Sequence, residues 1–430
     1  MARRVLQNSV LNLIAGISQR LGQTLLFIFI ARLLTQDETG AFKLANTYAS
    51  VLLTFSLWGL DHLLIREVAK NKERVNQYLT GYFGIRLILA TALWLILAFI
   101  MPLLPYTADS KTLILLLTFT IIPSNLNNLY QAAWMALENI KKITLITLIF
   151  SLIRAFGGIL LLWITQSVVQ IAYLFIVAYL LELIANILIT HRHPDFSRFS
   201  IPIVPSFWFT HFKIAFPLII VSLVFIVEYQ FDVVILSFYR PEREIGVYGT
   251  ASTLVTLLLF GTRSFQLAVF PVISRAYHNQ RGLAGIYIKS MAFIVSAALI
   301  VIFIMSIFSQ SIIKIVFGTA YVTAGPILTI LVWVLFFSAI NVSNSRLMIA
   351  ANKQRVMAIF ASLSMSTSVL LSFWLVPRYG GIGSAWARLL AMPLYTIPTI
   401  IYVQKKLCPV TRKDIRNFIT TDLFLRKSHG

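Results

Sequence analysis

Apolar residues in this chain come in long blocks broken by short polar gaps, rather than alternating one by one. Alternation would predict strands, whereas an unbroken apolar run of about 20 residues predicts a helix that crosses a bilayer. The blocks predict spanning helices over 10–34, 42–65, 79–103, 112–137, 143–164 and 169–190. After a polar stretch, six more are predicted over 214–238, 247–272, 289–308, 326–350, 356–376 and 382–404. The expected fold is an all-α integral membrane protein of about twelve transmembrane helices, with no soluble domain left over.

Composition supports that reading. Of 430 residues, 58% are hydrophobic and 12% charged, against about 45–50% and about 25% in soluble domains. A formal charge of +21 invites a nucleic-acid partner, but the basic residues form no single patch or arm. They favour every second gap. The outward gaps hold Lys111, Arg240, Arg243, Lys314 and Arg378, with Asp37, Glu38, Asp109, Glu242 and Glu244. Clusters such as Arg66 with Lys70, Lys141 with Lys142, Lys353 with Arg355, and Lys405 with Lys406 fill the inward gaps. This bias is the one that sets membrane orientation, and it predicts cytoplasmic N- and C-termini and no nucleic-acid role. The basic start at Arg3 and Arg4 precedes an apolar stretch too long for a signal peptide and is expected to flank the first span. Cys408 is the sole cysteine, which rules out an intramolecular disulfide and a cysteine-based metal cluster.

The halves resemble each other. The run from Gly40 to Thr47 (Gly-Ala-Phe-Lys-Leu-Ala-Asn-Thr) opens the second span, and the run from Gly246 to Thr253 (Gly-Val-Tyr-Gly-Thr-Ala-Ser-Thr) opens the eighth. Asn128, Gln131, Met135 and Asn139 in the fourth span line up with Asn341, Asn344, Met348 and Asn352 in the tenth. An even number of spans per half predicts a parallel repeat about an axis along the membrane normal. The expected organisation is a six-helix lobe at 1–195, a cytoplasmic linker at 196–213, a second six-helix lobe at 214–404 and a basic cytoplasmic tail at 405–430.

Charges inside spans cost about 2.5–3.5 kcal/mol each on insertion scales, so each needs a reason. Arg32, Lys43 and Arg346 lie near helix ends, where long basic side chains reach the interface. Arg20, Arg154 and Arg263 are too deep for that and predict a polar cavity or an internal partner, while Arg86 and Arg388 suit either reading. Asp61 precedes Arg66 by five residues, which suggests a structural contact between them. Glu182, Glu228 and Asp232 complete the acidic set. Glu228 and Asp232 share a helix face one turn apart, and read either as a proton or cation site or as counter-charges for an arginine such as Arg263. Asn125, Asn128 and Gln131, with Asn341 and Asn344 in the second half, predict interhelical contacts or a polar lumen.

No phosphate-binding Gly-x4-Gly-Lys loop, His-Glu-x-x-His or Gly-x-Ser-x-Gly occurs, so no catalytic set, metal or cofactor is expected. Ala31-Arg32-Leu33-Leu34 ahead of Gly40-Ala41-Phe42 resembles the first-loop signature of polysaccharide-biosynthesis flippases of the O-antigen, or Wzx, type. Gly59-Leu60-Asp61, Arg66 to Ala69, Asp232 to Leu236, Gly246-Val247-Tyr248 and Pro271 to Arg275 continue that resemblance in order along the chain. The family lies in the multidrug/oligosaccharidyl-lipid/polysaccharide exporter superfamily. The resemblance implies two lobes as in multidrug and toxic-compound extrusion transporters, working by alternating access in a bacterial inner membrane. It implies a polyprenyl-pyrophosphate-linked oligosaccharide as substrate, moved to the outer leaflet for surface polysaccharides such as lipopolysaccharide. Other membrane proteins of polysaccharide assembly are the implied partners. Arg20, Arg86, Arg154, Arg263 and Arg388 would then form a cationic lumen, since guanidinium pairs well with phosphate and carboxylate. Asp61, Glu182, Glu228 and Asp232 would serve proton or sodium coupling or act as counter-charges. Lipid II flippases usually carry fourteen spans and more clustered charge in the first helix, which this chain lacks.

Two other classes compete. A multidrug or small-cation exporter of the same superfamily would want an acidic lumen, whereas the deep charges here lean basic. A membrane enzyme of polysaccharide assembly usually needs a large outer loop with catalytic charges, but the longest outer gap, 309–325, contains no Asp or Glu.

Overall fold

The computed structural model describes residues 2–194, 196, 205–279, 282–412 and 414, the side chains of 2–14, 205–206, 216–229, 263–264 and 266–268 falling outside the description. Among the described residues every regular element is a helix. The first part of the chain forms α1 (Ala2–Leu33), α2 (Gln36–Leu57), α3 (Leu60–Lys70), α4 (Val75–Ile100), α5 (Ala108–Phe119), α6 (Ile121–Ala136) and α7 (Lys141–Leu152). A π-helical turn (Ile153–Gly157) leads into α8 (Gly158–Thr165), and α9 (Val168–His191) follows. Then come α10 (Pro205–Tyr239), α11 (Glu242–Asn279), α12 (Leu283–Ile307), α13 (Ser309–Phe317), α14 (Gly325–Leu331), α15 (Val334–Ala350) and α16 (Gln354–Tyr402). Among the described residues nine helical stretches are long and apolar enough to cross a membrane. Each predicted apolar block falls, apart from end residues, on one of the helices α1 to α16 or on a consecutive pair, but 10–34 and 214–238 lie on α1 and α10, outside the nine, and 356–376 and 382–404 share α16.

Local chemistry sets the boundaries. Thr35 opens α2 with a capping box, the Glu38 amide donating to Thr35 Oγ1 at 3.2 Å and the Thr35 amide to Glu38 Oε2 at 3.0 Å. The block predicted at 42–65 is two helices. Trp58 (φ 49°) and Gly59 (φ 68°) both turn left-handed between α2 and α3, a conformation cheap for glycine and unusual for tryptophan. The blocks predicted at 356–376 and 382–404 run together in α16, broken by Gly380 (φ 55°, ψ −132°) just after Pro377.

Among the described residues, polar side chains are buried within a largely apolar core while many large apolar side chains are exposed. Arg86, Asn125, Asn186 and Asn344 are fully buried, while Phe99 (82%), Leu103 (80%) and Ile315 (70%) are exposed. Apolar surface on this scale is what a hydrocarbon solvent covers, and the chain is a multi-pass membrane protein.

It separates into two compact units, Met1–Gly246 and Val247–Gly430. In the first, α10 packs on α2 and α4, and α2 crosses the start of α11 backbone to backbone. A Cβ on Gly40 would run into the carbonyl of Glu242, and one on Gly246 into that of Gln36. The glycines that open the two matched motifs therefore lie against each other. The lobe division with its linker at 196–213 concerns the repeat and is a separate proposal.

Two expectations need correction. Asp61 does not meet Arg66. Residues five apart on a helix point about 140° apart, and within α3 Arg66 instead reaches Glu67 at 2.9 Å. The second concerns the register of the repeat. The fourth-span match aligned Asn139 with Asn352, but the left-handed caps are Glu138 (φ 58°) and Asn352 (φ 56°). Each is followed by an amide reaching back five residues, Asn139 to Trp134 O and Lys353 to Met348 O. Read from these caps, the proposed repeat pairs Asn127, rather than Asn128, with Asn341.

Candidate functional site

Within the first unit, α1, α2, α5, α6, α7 and α9 enclose a cavity of about 230 Å³. Among the described residues its charged lining is Arg154 and Glu182, and the rest of its polar lining is amides and hydroxyls, among them Gln19, Gln23, Asn46, Asn128 and Gln131. Polar groups gather here because each helix presents its few non-apolar side chains to the others rather than to lipid.

Arg154 lies in the π-helical turn. One extra residue in a helical turn locally widens the backbone, and such turns recur at functional sites. The turn is packed against α1 at Gly22, where a Cβ would stand 2.8 Å from that of Ala155. Gly158 just beyond it receives the Leu26 side chain. This close approach brings Gln19 and Gln23 to the same cavity as the arginine.

Arg154 Nη1 stands 2.6 Å from Glu182 Oε2, and its guanidinium lies over the Tyr179 ring at 4.0 Å. Both charged side chains are almost wholly buried, at 7% and 2% exposure. Thr147 also hydrogen-bonds Glu182 and accepts from Gln131 Nε2 at 2.9 Å. On the other side Asn127 Nδ2 donates to the Tyr179 carbonyl at 3.1 Å and accepts from Asn186 Nδ2 at 2.9 Å. A continuous polar chain thus runs from α6 through α7 and the π turn to α9 and back. Three sequence-selected residues, Arg154, Glu182 and Gln131, meet in it, and Asn128 lines the same cavity while donating to Ser124 O.

A second network braces the break between α2 and α3. Arg86 Nη2 meets Asp61 Oδ1 at 2.5 Å and Nη1 donates to Asn125 O at 3.2 Å. Asn125 Nδ2 donates to Ser56 O at 3.2 Å, close to the helix break. Arg86 is fully buried and lines no part of the cavity.

The remaining candidates are scattered. Arg20 is an exposed residue of α1 outside the cavity lining. Asp232 is buried in α10 and accepts the Val233 amide at 2.8 Å. The side chains of Glu228 and Arg263 lie outside the described residues. In the second unit Arg388 is buried in α16, Asn341 donates to Thr396 Oγ1 at 2.9 Å, and Asn344 accepts from the Tyr287 hydroxyl at 2.6 Å. No group of three or more metal-ligating side chains occurs among the described residues.

Sequence reasoning missed Gln19, Gln23, Asn46, Thr147, Tyr179 and Asn186 as participants. The signal was there for some of them. Gln19 and Gln23 are four apart in an apolar helix, as are Glu182 and Asn186, and such pairs share a face. Asn127 lies between the selected Asn125 and Asn128 in the fourth span but was not itself selected.

A family model described as "Polysaccharide biosynthesis protein" matches residues 5–277. A curated relative, the probable low-salt glycan biosynthesis flippase Agl15 of Haloferax volcanii, is 23% identical over 168 residues. That match spans 39% of this chain and 36% of the length of the relative. Among solved structures, the lipid II flippase MurJ in an inward closed conformation superposes with a TM-score of 0.76 at 18% identity, covering 95% of this chain and 89% of that one. An inward-facing multidrug resistance MATE family transporter superposes with a TM-score of 0.71 at 13% identity, covering 91% and 97%. At these identities the likeness is one of fold.

Proposed function

The chain belongs to the polysaccharide biosynthesis protein family, and from that premise we propose that it is a flippase for lipid-linked oligosaccharides. It would carry a polyprenyl-pyrophosphate-linked glycan from the inner to the outer leaflet of the cell membrane, the bacterial inner membrane by the resemblance of its motifs. The supporting observation is the polar cavity inside a bundle whose outer surface is apolar. A sugar head group loses its hydrogen bonds to water when it enters hydrocarbon, at a cost of several kcal/mol per unsatisfied polar group. A lining of amides and hydroxyls replaces those bonds, while the polyprenyl tail stays in the bilayer.

Alternating access with cytoplasmic termini is part of the same proposal, as is the parallel six-plus-six repeat. Arg20 and Arg263 are proposed contacts for the pyrophosphate, and Glu228 with Asp232 a proposed proton or sodium coupling site. Arg154, in this structure, is already engaged by Glu182. A cation exporter is less well supported, because Glu182, the carboxylate lining the cavity among the described residues, is taken by that arginine. The fold and family are those of transporters, and no enzymatic step is proposed.

The test is transport in proteoliposomes. Purified protein is expected to move a fluorescent polyprenyl-pyrophosphate oligosaccharide from one leaflet to the other, and Gln131→Leu to slow that movement at least tenfold. Export of a cationic dye, with no movement of any lipid-linked glycan, would overturn the proposal.

A further inference from the structure

We propose that the cavity of the first unit receives an uncharged, hydroxyl-rich sugar residue of the head group, and that Glu182 sets this preference by masking Arg154. This inference rests on the flippase reading above and names the kind of sugar admitted.

Charge is the first argument. Among the described residues Arg154 and Glu182 are the cavity's charged lining, and they lie 2.6 Å apart, so their charges cancel. A carboxylate or phosphate entering this space would find the guanidinium already held on one side by Glu182 and on its face by Tyr179. An ammonium group would find the carboxylate held by Arg154 and Thr147. Either ion would enter a low-dielectric space without a counter-charge, which is strongly unfavourable.

Hydrogen-bonding capacity is the second. Asn46, Asn128 and Gln131 each commit the amide nitrogen, to Phe42 O, Ser124 O and Thr147 Oγ1 respectively. Their side-chain carbonyls are left as acceptors, suited to hydroxyl donors and unsuited to the oxygens of an anion. Gln19 and Gln23 add whole amides that both donate and accept. A sugar hydroxyl does both as well.

Size is the third. At about 30 Å³ per water, a cavity of about 230 Å³ holds about seven or eight waters. That is the room needed by a single sugar ring of about twelve heavy atoms, and far more than a bare cation needs. A site built to hydrogen-bond a ligand discriminates strongly against one that leaves its groups unpaired.

Two carriers with the same polyprenyl-pyrophosphate decide the matter, one bearing a single N-acetylhexosamine and the other a single hexuronic acid. Wild-type protein in proteoliposomes is expected to flip the neutral carrier at least tenfold faster. Glu182→Gln, which unmasks Arg154, is expected to shift the ratio at least tenfold toward the hexuronate. Asn128→Asp, which adds a negative charge, is expected to deepen the bias against it. Equal wild-type rates, or a wild-type preference for the hexuronate, would overturn the inference while leaving the flippase reading intact. If neither carrier moves, the flippase reading itself fails. Should Glu182→Gln not fold, the wild-type ratio and Asn128→Asp still give the answer.

Discussion

Cutting one member of the Arg154–Glu182 pair leaves the other charge alone in the interior of a membrane bundle. The two groups stand 2.6 Å apart with side chains 7% and 2% exposed, so solvent screens them little. Loss of one partner from a buried pair costs about 3–5 kcal/mol, and insertion scales put a lone mid-span charge at about 2.5–3.5 kcal/mol. Arg154→Ala and Glu182→Ala are each expected to destabilise the protein by about 3–5 kcal/mol. Were the two sites independent, the double variant would lose about 6–10 kcal/mol. It leaves no orphan charge, however. Its losses reduce to packing, the Tyr179 contact and the Thr147 hydrogen bond, together about 2–4 kcal/mol.

The double variant is therefore expected to be at least as stable as either single one, with a coupling energy of about 3 kcal/mol or more. Unfolding of the purified protein in detergent, followed by tryptophan fluorescence across the four members of the cycle, gives the ordering. Glu182→Gln belongs in the series as a milder case, because the amide still accepts from Arg154 and Thr147. Costs that simply add, to within about 0.5 kcal/mol, would refute the claim that Glu182 holds the arginine in a matched pair.

Three further outcomes are expected. Asn125→Ala removes the donor to Ser56 O beside the α2–α3 break and is expected to cost about 1–3 kcal/mol in the same unfolding assay, with the wild-type preference between neutral and acidic carriers unchanged. Gly40→Ala drives a methyl group into the Glu242 carbonyl, and is expected to destabilise by about 3 kcal/mol, the upper end for overpacking, because backbone must move; unchanged melting would show that α2 and α11 part easily here. Burial, reinforced by the charge of Asp414, raises the Cys408 thiol above its ordinary value. The thiolate is scarce at neutral pH and grows as pH rises, so maleimide labelling is expected to be slow near pH 7 and still accelerating above about pH 9. Rapid labelling at neutral pH would contradict the buried placement of this residue.

Much of this molecule is legible in its sequence because a bilayer imposes a coarse rule, an apolar run long enough to cross, and the blocks obey it. The breaks inside blocks are less legible. Gly59 is a visible signal between α2 and α3, but the neighbouring left-handed residue is Trp58, a type no propensity argument would choose, and its ring packs edge-on against Phe212 from a distant part of the chain. The π turn at Arg154 leaves no mark in composition at all. Charges show the same division. That Arg154 sits deep in its span follows from counting along the block, and Arg86 suits either reading there, whereas their partners Glu182 and Asp61 lie 28 and 25 residues away. Pairing across helices depends on how the helices are rotated, which one sequence does not state. The local guess for Asp61, a partner five residues along its own helix, failed for that reason.

The repeat register carries the argument one step further. The caps at Glu138 and Asn352 are 214 residues apart, and under the proposed repeat that spacing matches Asn127 with Asn341 in sequence. Each reaches from its own helix to the last span of its half, Asn127 to the Tyr179 carbonyl and Asn341 to the Thr396 hydroxyl. The same spacing carries Glu182 onto Thr396 and Arg154 onto Ser368. If the proposed repeat holds, an amide bridge between helices is common to both halves, while the positions matching the Arg154–Glu182 pair carry two hydroxyl residues. Replacing two neutral residues by a matched pair leaves the net charge of the bundle unchanged, so the substitution does not make a cationic lumen. What it adds is a guanidinium whose availability depends on one carboxylate. Selectivity by charge in the first unit is then set by Glu182, and changing that single residue is the step by which the cavity would come to accept an acidic sugar.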